Sequence, residues 1–171
     1  PGFPQILEEA HQLFSKDPGH LDIKAQNILQ KIALQNKPGK SQGNRSQQLI
    51  QEAVEILKKR FDEEYGGFGA GMKFPEPMHY TLLLRHWAET GDEDTLHILD
   101  KSLTKMAEGG LFDQLGGGFH RYSTDRFWRV PHFEKMLCDN GFLAKLFLDM
   151  FQATKQEIYS VIPEQIFSWV E

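Results

Sequence analysis

The segment "GGGFHRYSTDRFWRVPHFEKMLCDNGFLAKLFLDMFQAT" at residues 116–154 joins a glycine-rich loop to a long apolar pattern. Beyond the loop, apolar residues recur at helical intervals, which predicts one helix over 131–154. Its second half, "FLAKLFLDMF", is apolar almost all round, so other elements must cover it on most sides. Its first half carries a polar stripe, because His132, Lys135 and Asp139 fall at i, i+3 and i+7. This pattern suits an inner helix of an α/α toroid, whose end opens on a central cavity.

Helical periodicity also marks most of the remaining chain. A helix is predicted from about Gln156, and five others are predicted at 3–16, 20–35, 47–61, 77–90 and 93–108. Only residues 118–130 have strand character, with "GFHRY" and "FWRV" on either side of "STDR". The predicted fold class is therefore all-α, a partial α/α toroid of the six-hairpin type, with a short β-hairpin in the 116–130 loop.

Two parts of the sequence share one plan, which supports a repeating architecture. Residues 65–91 and 116–154 each contain a Gly-Gly-Phe loop, then a Pro/Phe segment, then an apolar helix. The two loops are about 50 residues apart, near the range in which helical arrays repeat a supersecondary unit. In the first copy, Lys73 precedes "FPEP" and is expected to be an exposed lysine.

Composition divides the chain into three predicted parts. Residues 36–46, "NKPGKSQGNRS", contain no apolar side chain and have the composition of a linker. Residues 1–35 and 47–171 are predicted to be the folded parts on either side. The sequence begins at Pro1 without methionine and ends inside an apolar pattern, so we expect a piece of a longer protein.

Charge and composition exclude several classes of partner. The 171 residues carry a net charge of −5, from 24 acidic and 19 basic residues spread along the chain. No basic stripe indicates nucleic acid, and no polybasic segment indicates a membrane surface. No apolar run approaches the roughly 18 residues that span a bilayer, and no signal peptide is visible. The single cysteine, Cys138, cannot form an internal disulfide, which favours a reducing, cytoplasmic location.

Two motifs and their spacing resemble a known family. "GGFGAGMKFPEP" (66–77) and "GGLFDQLGGGFHRYSTDRFWRVPHFEKMLCDN" (109–140) are similar to those of thioredoxin-fused spermatogenesis-associated proteins, bacterial relatives included. In that family a thioredoxin-like domain precedes a toroid that resembles N-acylglucosamine 2-epimerases and six-hairpin glycosidases. The resemblance implies that residues 1–35 follow a thioredoxin-like domain and that 47–171 are the first toroid hairpins. It also implies a role in carbohydrate metabolism, with the rest of the same chain as structural partner.

The 109–140 segment supplies side chains for acid–base chemistry on a sugar. Epimerisation needs one group that removes a proton beside a carbonyl and another that returns it, and histidine suits both tasks near neutral pH. Glycoside hydrolysis needs two carboxylates. The candidate catalytic residues are His120, His132, Glu134 and Asp139.

Neighbouring side chains are candidates for substrate binding. Phe119, Tyr122 and Trp128 can stack on the apolar face of a sugar, and Arg121 can bind an anionic group. Asp113 completes this set. Structural roles are the alternative, because the arginine can pair with a nearby aspartate and the segment's other acids can fix the loop.

No metal or cofactor site is predicted. No pair among the histidines and acids has the spacing of an H-E-x-x-H site, and the glycine runs do not form a P-loop. Two functional hypotheses follow. In one, the chain is part of a carbohydrate-active toroid, epimerase- or glycosidase-like, that binds a small carbohydrate. In the other, it is a non-catalytic binding or scaffold module attached to a thioredoxin-like domain.

Overall fold

The protein is described here by a computed structural model that covers residues 2–35 and 45–171. Its helices are α1 (Phe3–Lys16), α2 (Pro18–Gln35), α3 (Arg45–Arg60), α4 (Pro77–Thr90), α5 (Glu93–Glu108), α6 (Leu137–Thr154) and α7 (Ile158–Val170). The predicted all-α class is confirmed, since the covered residues contain isolated antiparallel bridges but no strand. Most of the predicted linker, 36–44, lies outside the described residues.

The chain forms two compact units, Pro1–Arg45 and Ser46–Glu171. In the first unit α1 packs on α2, and Asp17 ends α1. No side chain of α1 is buried, and large apolar residues such as Leu7 and Phe14 are exposed. None of the helices in the described ranges is long and apolar enough to cross a membrane.

The second unit contains two helix hairpins that share one core. Short connections at 91–92 and 155–157 make α5 antiparallel to α4 and α7 antiparallel to α6. Helix α4 also packs on α6, so the two hairpins lie side by side. The buried side chains between them are apolar and include Leu83, Leu99, Leu103, Met106, Leu143, Phe147, Met150, Tyr159 and Ile166. Because α6 contacts both α4 and α7, most of its apolar surface is covered, although Phe142 remains exposed.

Helix α6 begins at Leu137, so the prediction of a helix from Pro131 is wrong. The preceding residues are held in extended pairing instead. The backbone N–H of His132 donates to Tyr122 O at 2.9 Å, and the N–H of Arg121 donates to Glu134 O at 2.7 Å. These non-local hydrogen bonds outcompete the local helical pattern. The predicted polar helix stripe therefore does not form, since only its last member lies on α6.

The predicted β-hairpin in the 116–130 loop is also wrong. The Asp125 carboxylate accepts hydrogen bonds from the backbone N–H groups of Phe127, Arg129 and Val130, which folds this stretch into a tight loop. Trp128 has a left-handed φ of 63°, which a strand does not accommodate. The backbone of Ser123 instead forms bridges with Lys73 and Pro131, one on each side.

Candidate functional site

Two glycine-rich loops of the same geometry precede helices α4 and α6. The first loop is residues 61–68, "FDEEYGGF", and the second loop is residues 112–119, "FDQLGGGF". Each is closed by an antiparallel bridge between its terminal phenylalanines. In each, the aspartate N–H donates to the carbonyl of the second glycine of the Gly-Gly-Phe sequence at 2.9 Å. The repeat seen in the sequence is therefore a repeat in three dimensions.

The first loop is fastened by a buried lysine, and we call Asp62, Gly66 and Lys73 the first clamp. The Nζ of Lys73 lies 2.6 Å from Asp62 Oδ2 and also donates to the Gly66 carbonyl. Lys73 is 1% exposed, so the expectation of an exposed lysine is wrong. Arg126 adds a bidentate ion pair to the same aspartate, at 2.7 and 2.8 Å. Burial alone raises the pKa of Asp62, but these cations and backbone N–H donors outweigh it and hold the pKa well below its ordinary value.

Trp128 covers the first clamp. Its ring lies 5.5 Å from the Lys73 ammonium, and its Nε1 donates to Tyr65 O at 2.9 Å. A Cβ added to Gly67 would lie 2.4 Å from the Trp128 ring, so glycine is required for this close approach. Trp128 is 1% exposed. The structure therefore places this predicted sugar-stacking residue in the core.

The second loop is fastened in the same way, and we call Asp113, Gly117 and Lys135 the second clamp. The Nζ of Lys135 lies 2.6 Å from Asp113 Oδ2 and 2.6 Å from the Gly117 carbonyl oxygen. Backbone N–H groups of the loop, chiefly that of Gly116, and then Lys135 hold the pKa of Asp113 well below its ordinary value. The Trp169 ring lies 5.3 Å from the ammonium, as Trp128 does in the first clamp. The predicted substrate-binding Asp113 thus has a structural partner.

Phe119 is the last residue of the second loop, and His120 directly follows it. Phe119 is fully buried against Phe112 and Phe147, so its ring belongs to the core. The ring of His120 meets Phe133 edge-on at 5.3 Å, and its buried Nδ1 has no hydrogen-bond partner among residues 2–35 and 45–171. Burial, and then the positive charge of Lys135, lower the pKa of His120, while Asp113 acts in the opposite direction. His120 is therefore biased toward its neutral form.

Asn140 is a residue that the sequence interpretation missed. It is fully buried in the first turn of α6. Its Oδ1 accepts from Phe119 N–H at 2.6 Å, and its Nδ2 donates to Phe119 O and to Met136 O, both at 3.0 Å. The amide thus binds both backbone groups of Phe119 and fastens the second loop to the start of α6. An amide in the first turn of a largely apolar helix was the available signal.

A groove of about 440 Å³ lies between the N-terminal ends of α4 and α6, and we call it the interhelix groove. Its wall is formed by Phe74, Pro75, Glu76, Pro77, Arg121, Met136 and Asp139. Glu76 precedes α4 with a left-handed φ of 38°, a strained conformation for a residue with a side chain. The groove therefore combines two carboxylates and one guanidinium with an apolar floor.

Four predicted site residues form a continuous cluster beside this groove. We call it the exposed cluster because Arg121, His132 and Glu134 are exposed, while Tyr122 is half-buried. Arg121 Nη1 lies 3.0 Å from Glu134 Oε2, and His132 Nδ1 lies 3.8 Å from the same oxygen. The His132 ring stacks on Tyr122 with a centroid distance of 4.8 Å. Tyr122 in turn contacts Phe74 of the groove wall at 4.8 Å. The hydrogen bond that Arg121 donates to the Glu134 carboxylate raises the pKa of the guanidinium.

The predicted residues thus separate into two sets. Asp139 and the cluster of four lie at or beside the interhelix groove. The remaining predictions, Asp113, Phe119, His120 and Trp128, lie outside the groove wall, in the second clamp, the core or the layer behind Phe133. Across residues 2–35 and 45–171, no group of three or more His, Cys, Asp or Glu side chains is arranged to hold a metal ion.

Solved structures of sugar epimerases have the same fold. The cellobiose 2-epimerase of Spirochaeta thermophila superposes with a TM-score of 0.59 at 14% identity, over 74% of this chain and 37% of that one. A sugar epimerase from a ruminal bacterium superposes with a TM-score of 0.60 at 16% identity, over 72% of this chain and 36% of that one. The second unit therefore has the architecture of part of an α/α toroid, as predicted.

Proteins of similar sequence identify the family to which this chain belongs. Human spermatogenesis-associated protein 20 is 42% identical over 122 residues, which cover 67% of this chain. The uncharacterised protein B0495.5 of Caenorhabditis elegans is 33% identical over 160 residues, or 91% of this chain. No family model matches. The predicted resemblance to the spermatogenesis-associated proteins is confirmed, and the chain spans only 15% and 22% of the length of these two relatives.

Proposed function

We propose that this chain supplies one wall of the sugar site of a carbohydrate-active, epimerase-like toroid. The interhelix groove carries the proposal, because it brings Arg121 and Asp139 together with the apolar Phe74 at the N-terminal ends of two neighbouring toroid helices. The remaining walls would come from further hairpins of the same protein, which is also predicted to carry a thioredoxin-like domain. The two epimerases that share the fold support a sugar as the ligand class.

The groove has the chemistry that sugar binding requires. A pyranose ring presents apolar C–H faces and a rim of hydroxyl groups. Phe74 and the stacked rings of Tyr122 and His132 offer aromatic surface to those faces. Arg121 and Asp139 offer a donor and an acceptor for the hydroxyls. A pocket of this kind, mainly apolar with a few placed polar groups, is typical of small-molecule sites.

Acid–base chemistry is assigned to two histidines, His132 of the exposed cluster and His120 near it in the chain. In a 2-epimerisation, a base removes the proton beside the sugar carbonyl, and an acid returns it to the opposite face. His132 is the proposed base, and its Nδ1 lies 3.8 Å from Glu134 Oε2. His120 is the proposed second proton carrier. Its ring meets the 82% exposed ring of Phe133 edge-on.

A specific observation also favours the alternative of a binding or scaffold module without catalysis. Arg121 and Glu134 pair with each other, and Asp113 pairs with Lys135, so several of the predicted polar side chains already have partners. Under this alternative the groove binds a sugar without changing it. A glycosidase-like reaction would instead require two carboxylates facing one glycosidic bond.

The proposal is tested by solvent hydrogen exchange at C2 of a reducing sugar. The full-length protein is incubated in D₂O with cellobiose, other reducing sugars and sugar phosphates, and C2 deuteration is followed by NMR. We expect deuteration of at least one sugar by the wild type and a loss of about 100-fold or more in His132→Ala and His120→Ala. His97→Ala, an exposed histidine of α5, is the matched control and should retain wild-type rates.

Each other outcome has a defined meaning. Binding of a sugar without C2 exchange would contradict the epimerase proposal and favour the binding module. Exchange that survives both histidine variants would remove their assigned roles. Release of monosaccharides would indicate a glycosidase.

A further inference from the structure

The two clamps have the same geometry but hold different chain segments in place. After the first loop the sequence continues with Gly69 and Ala70, which carry no functional group. After the second loop it continues with His120 and Arg121. Loops of the same geometry are therefore followed by residues without functional side chains in the first repeat and by two candidate site residues in the second.

The backbone between the second clamp and the groove is held at every step. Lys135 binds the Gly117 carbonyl, and Asn140 binds both backbone groups of Phe119. The N–H of His120 donates to Leu111 O at 2.8 Å. The N–H of Arg121 donates to the carbonyl oxygen of Glu134 at 2.7 Å. Lys135 thus joins the fixed loop to the extended segment that carries the exposed cluster.

Lys135 also acts on His120 through its positive charge. It and Asp113 are the charged groups that act on the His120 imidazole, with opposite signs, and the Phe133 ring packs against that imidazole. The ammonium opposes protonation of His120, and the carboxylate favours it. A change in either partner must therefore alter the titration of the histidine.

From these contacts we infer that Lys135 is a positioning residue, which fixes the placement of His120 through the second clamp. Lys73 is its counterpart in the first clamp and performs a scaffold role alone. This inference goes beyond the proposed function, because it concerns the state of His120 whether or not the groove acts on a sugar.

The test measures His120 directly in the full-length protein. The protein is labelled with ¹³C-histidine, and the signal that disappears in His120→Gln identifies the residue. We expect Lys135→Met to move the His120 titration midpoint to higher pH, because a positive charge is removed. Backbone amides of residues 117–121 should exchange with solvent at least about tenfold faster in the same variant.

A matched variant and an opposite variant complete the test. Lys145→Met removes an exposed lysine of α6 that pairs with Asp149, and it should leave both readouts at wild-type values. Asp113→Asn removes the negative partner and should move the His120 midpoint to lower pH, which keeps the test valid if Lys135→Met does not fold. Unchanged midpoints in both clamp variants, or shifts of the same sign, would overturn the inference.

Discussion

The first and second loops are built alike, yet they lie in different surroundings. Lys73 is sealed beneath Trp128 and shares its aspartate with Arg126. Lys135 retains 14% side-chain exposure and adjoins the segment that carries Glu134. One structural device therefore serves two purposes, as internal scaffold in the first repeat and as support for an exposed site in the second. Repetition explains the shared geometry, and burial explains the different roles.

The largest expected difference between the two loops is in how much their lysines contribute to the free energy of unfolding. Lys73→Met should lower the free energy of unfolding by about 3 kcal/mol, because it leaves buried acceptors without their partner. Lys135→Met should cost about 1 kcal/mol, because water can reach its partners. Urea denaturation followed by circular dichroism measures both. Equal losses would show that burial does not distinguish the clamps.

A second contrast lies between Gly67 of the first loop and Gly69, which directly follows that loop. Gly67 and Gly69 both have positive φ angles, 75° and 84°, so alanine at either position carries a backbone cost of about 1 kcal/mol. Of the two, only Gly67 lies against Trp128, whereas no atom of the described part of the chain lies within 4 Å of a Cβ added to Gly69. We therefore expect Gly67→Ala to cost about 2–3 kcal/mol in total and to alter tryptophan fluorescence. Matching losses for the two variants would contradict the close packing of this ring.

Acid should weaken both clamps through their aspartates. The folded-state pKa values of Asp62 and Asp113 lie below the unfolded value of about 3.9. Their stabilising contribution is therefore present above that value and is lost as the pH falls toward the folded pKa. Between about pH 5 and pH 2, the wild type should lose stability more steeply than Asp62→Asn or Asp113→Asn. Equal pH slopes in all three proteins would contradict ion pairing in the clamps.

The smallest expected effect on stability is at Arg121. Because this side chain is exposed, Arg121→Ala should change the free energy of unfolding by less than about 0.5 kcal/mol. Sugar affinity should nevertheless fall about tenfold or more, measured by calorimetry on the full-length protein. Arg85→Ala, an exposed arginine of α4, is the control that should leave both values unchanged. Loss of stability with intact binding would reverse this assignment.

The repeating plan could be predicted from the sequence, but the clamps could not. The motif Phe-Asp-x-x-x-Gly-Gly-Phe occurs twice, 51 residues apart, and it shows both loops. The lysines follow their loops at unequal distances, Lys73 five residues after Phe68 and Lys135 sixteen residues after Phe119. Their equivalence arises only when the intervening chain folds back on itself, which no local pattern records.

Only part of the candidate site could be predicted from the sequence, because pairing between distant segments again replaced the local pattern. Proline followed by an apolar periodic run is typical of a helix start, yet the segment from Pro131 pairs with residues 121–123 instead. Tertiary hydrogen bonding thereby turned the expected helix stripe into an extended segment. The grouping of Arg121, His132 and Glu134 still matched the predicted segment, whereas the buried position of Trp128 did not follow from its sequence neighbours.

The most direct test of the account is hydrogen exchange of the full-length protein with and without cellobiose or another reducing sugar that it binds. The account predicts slower amide exchange at residues 74–79, 119–122 and 136–140, which surround the interhelix groove, and no change at residues 61–68 of the first loop. Protection confined to other regions, or equal protection of both loops, would contradict the claim that the sugar site lies in the interhelix groove.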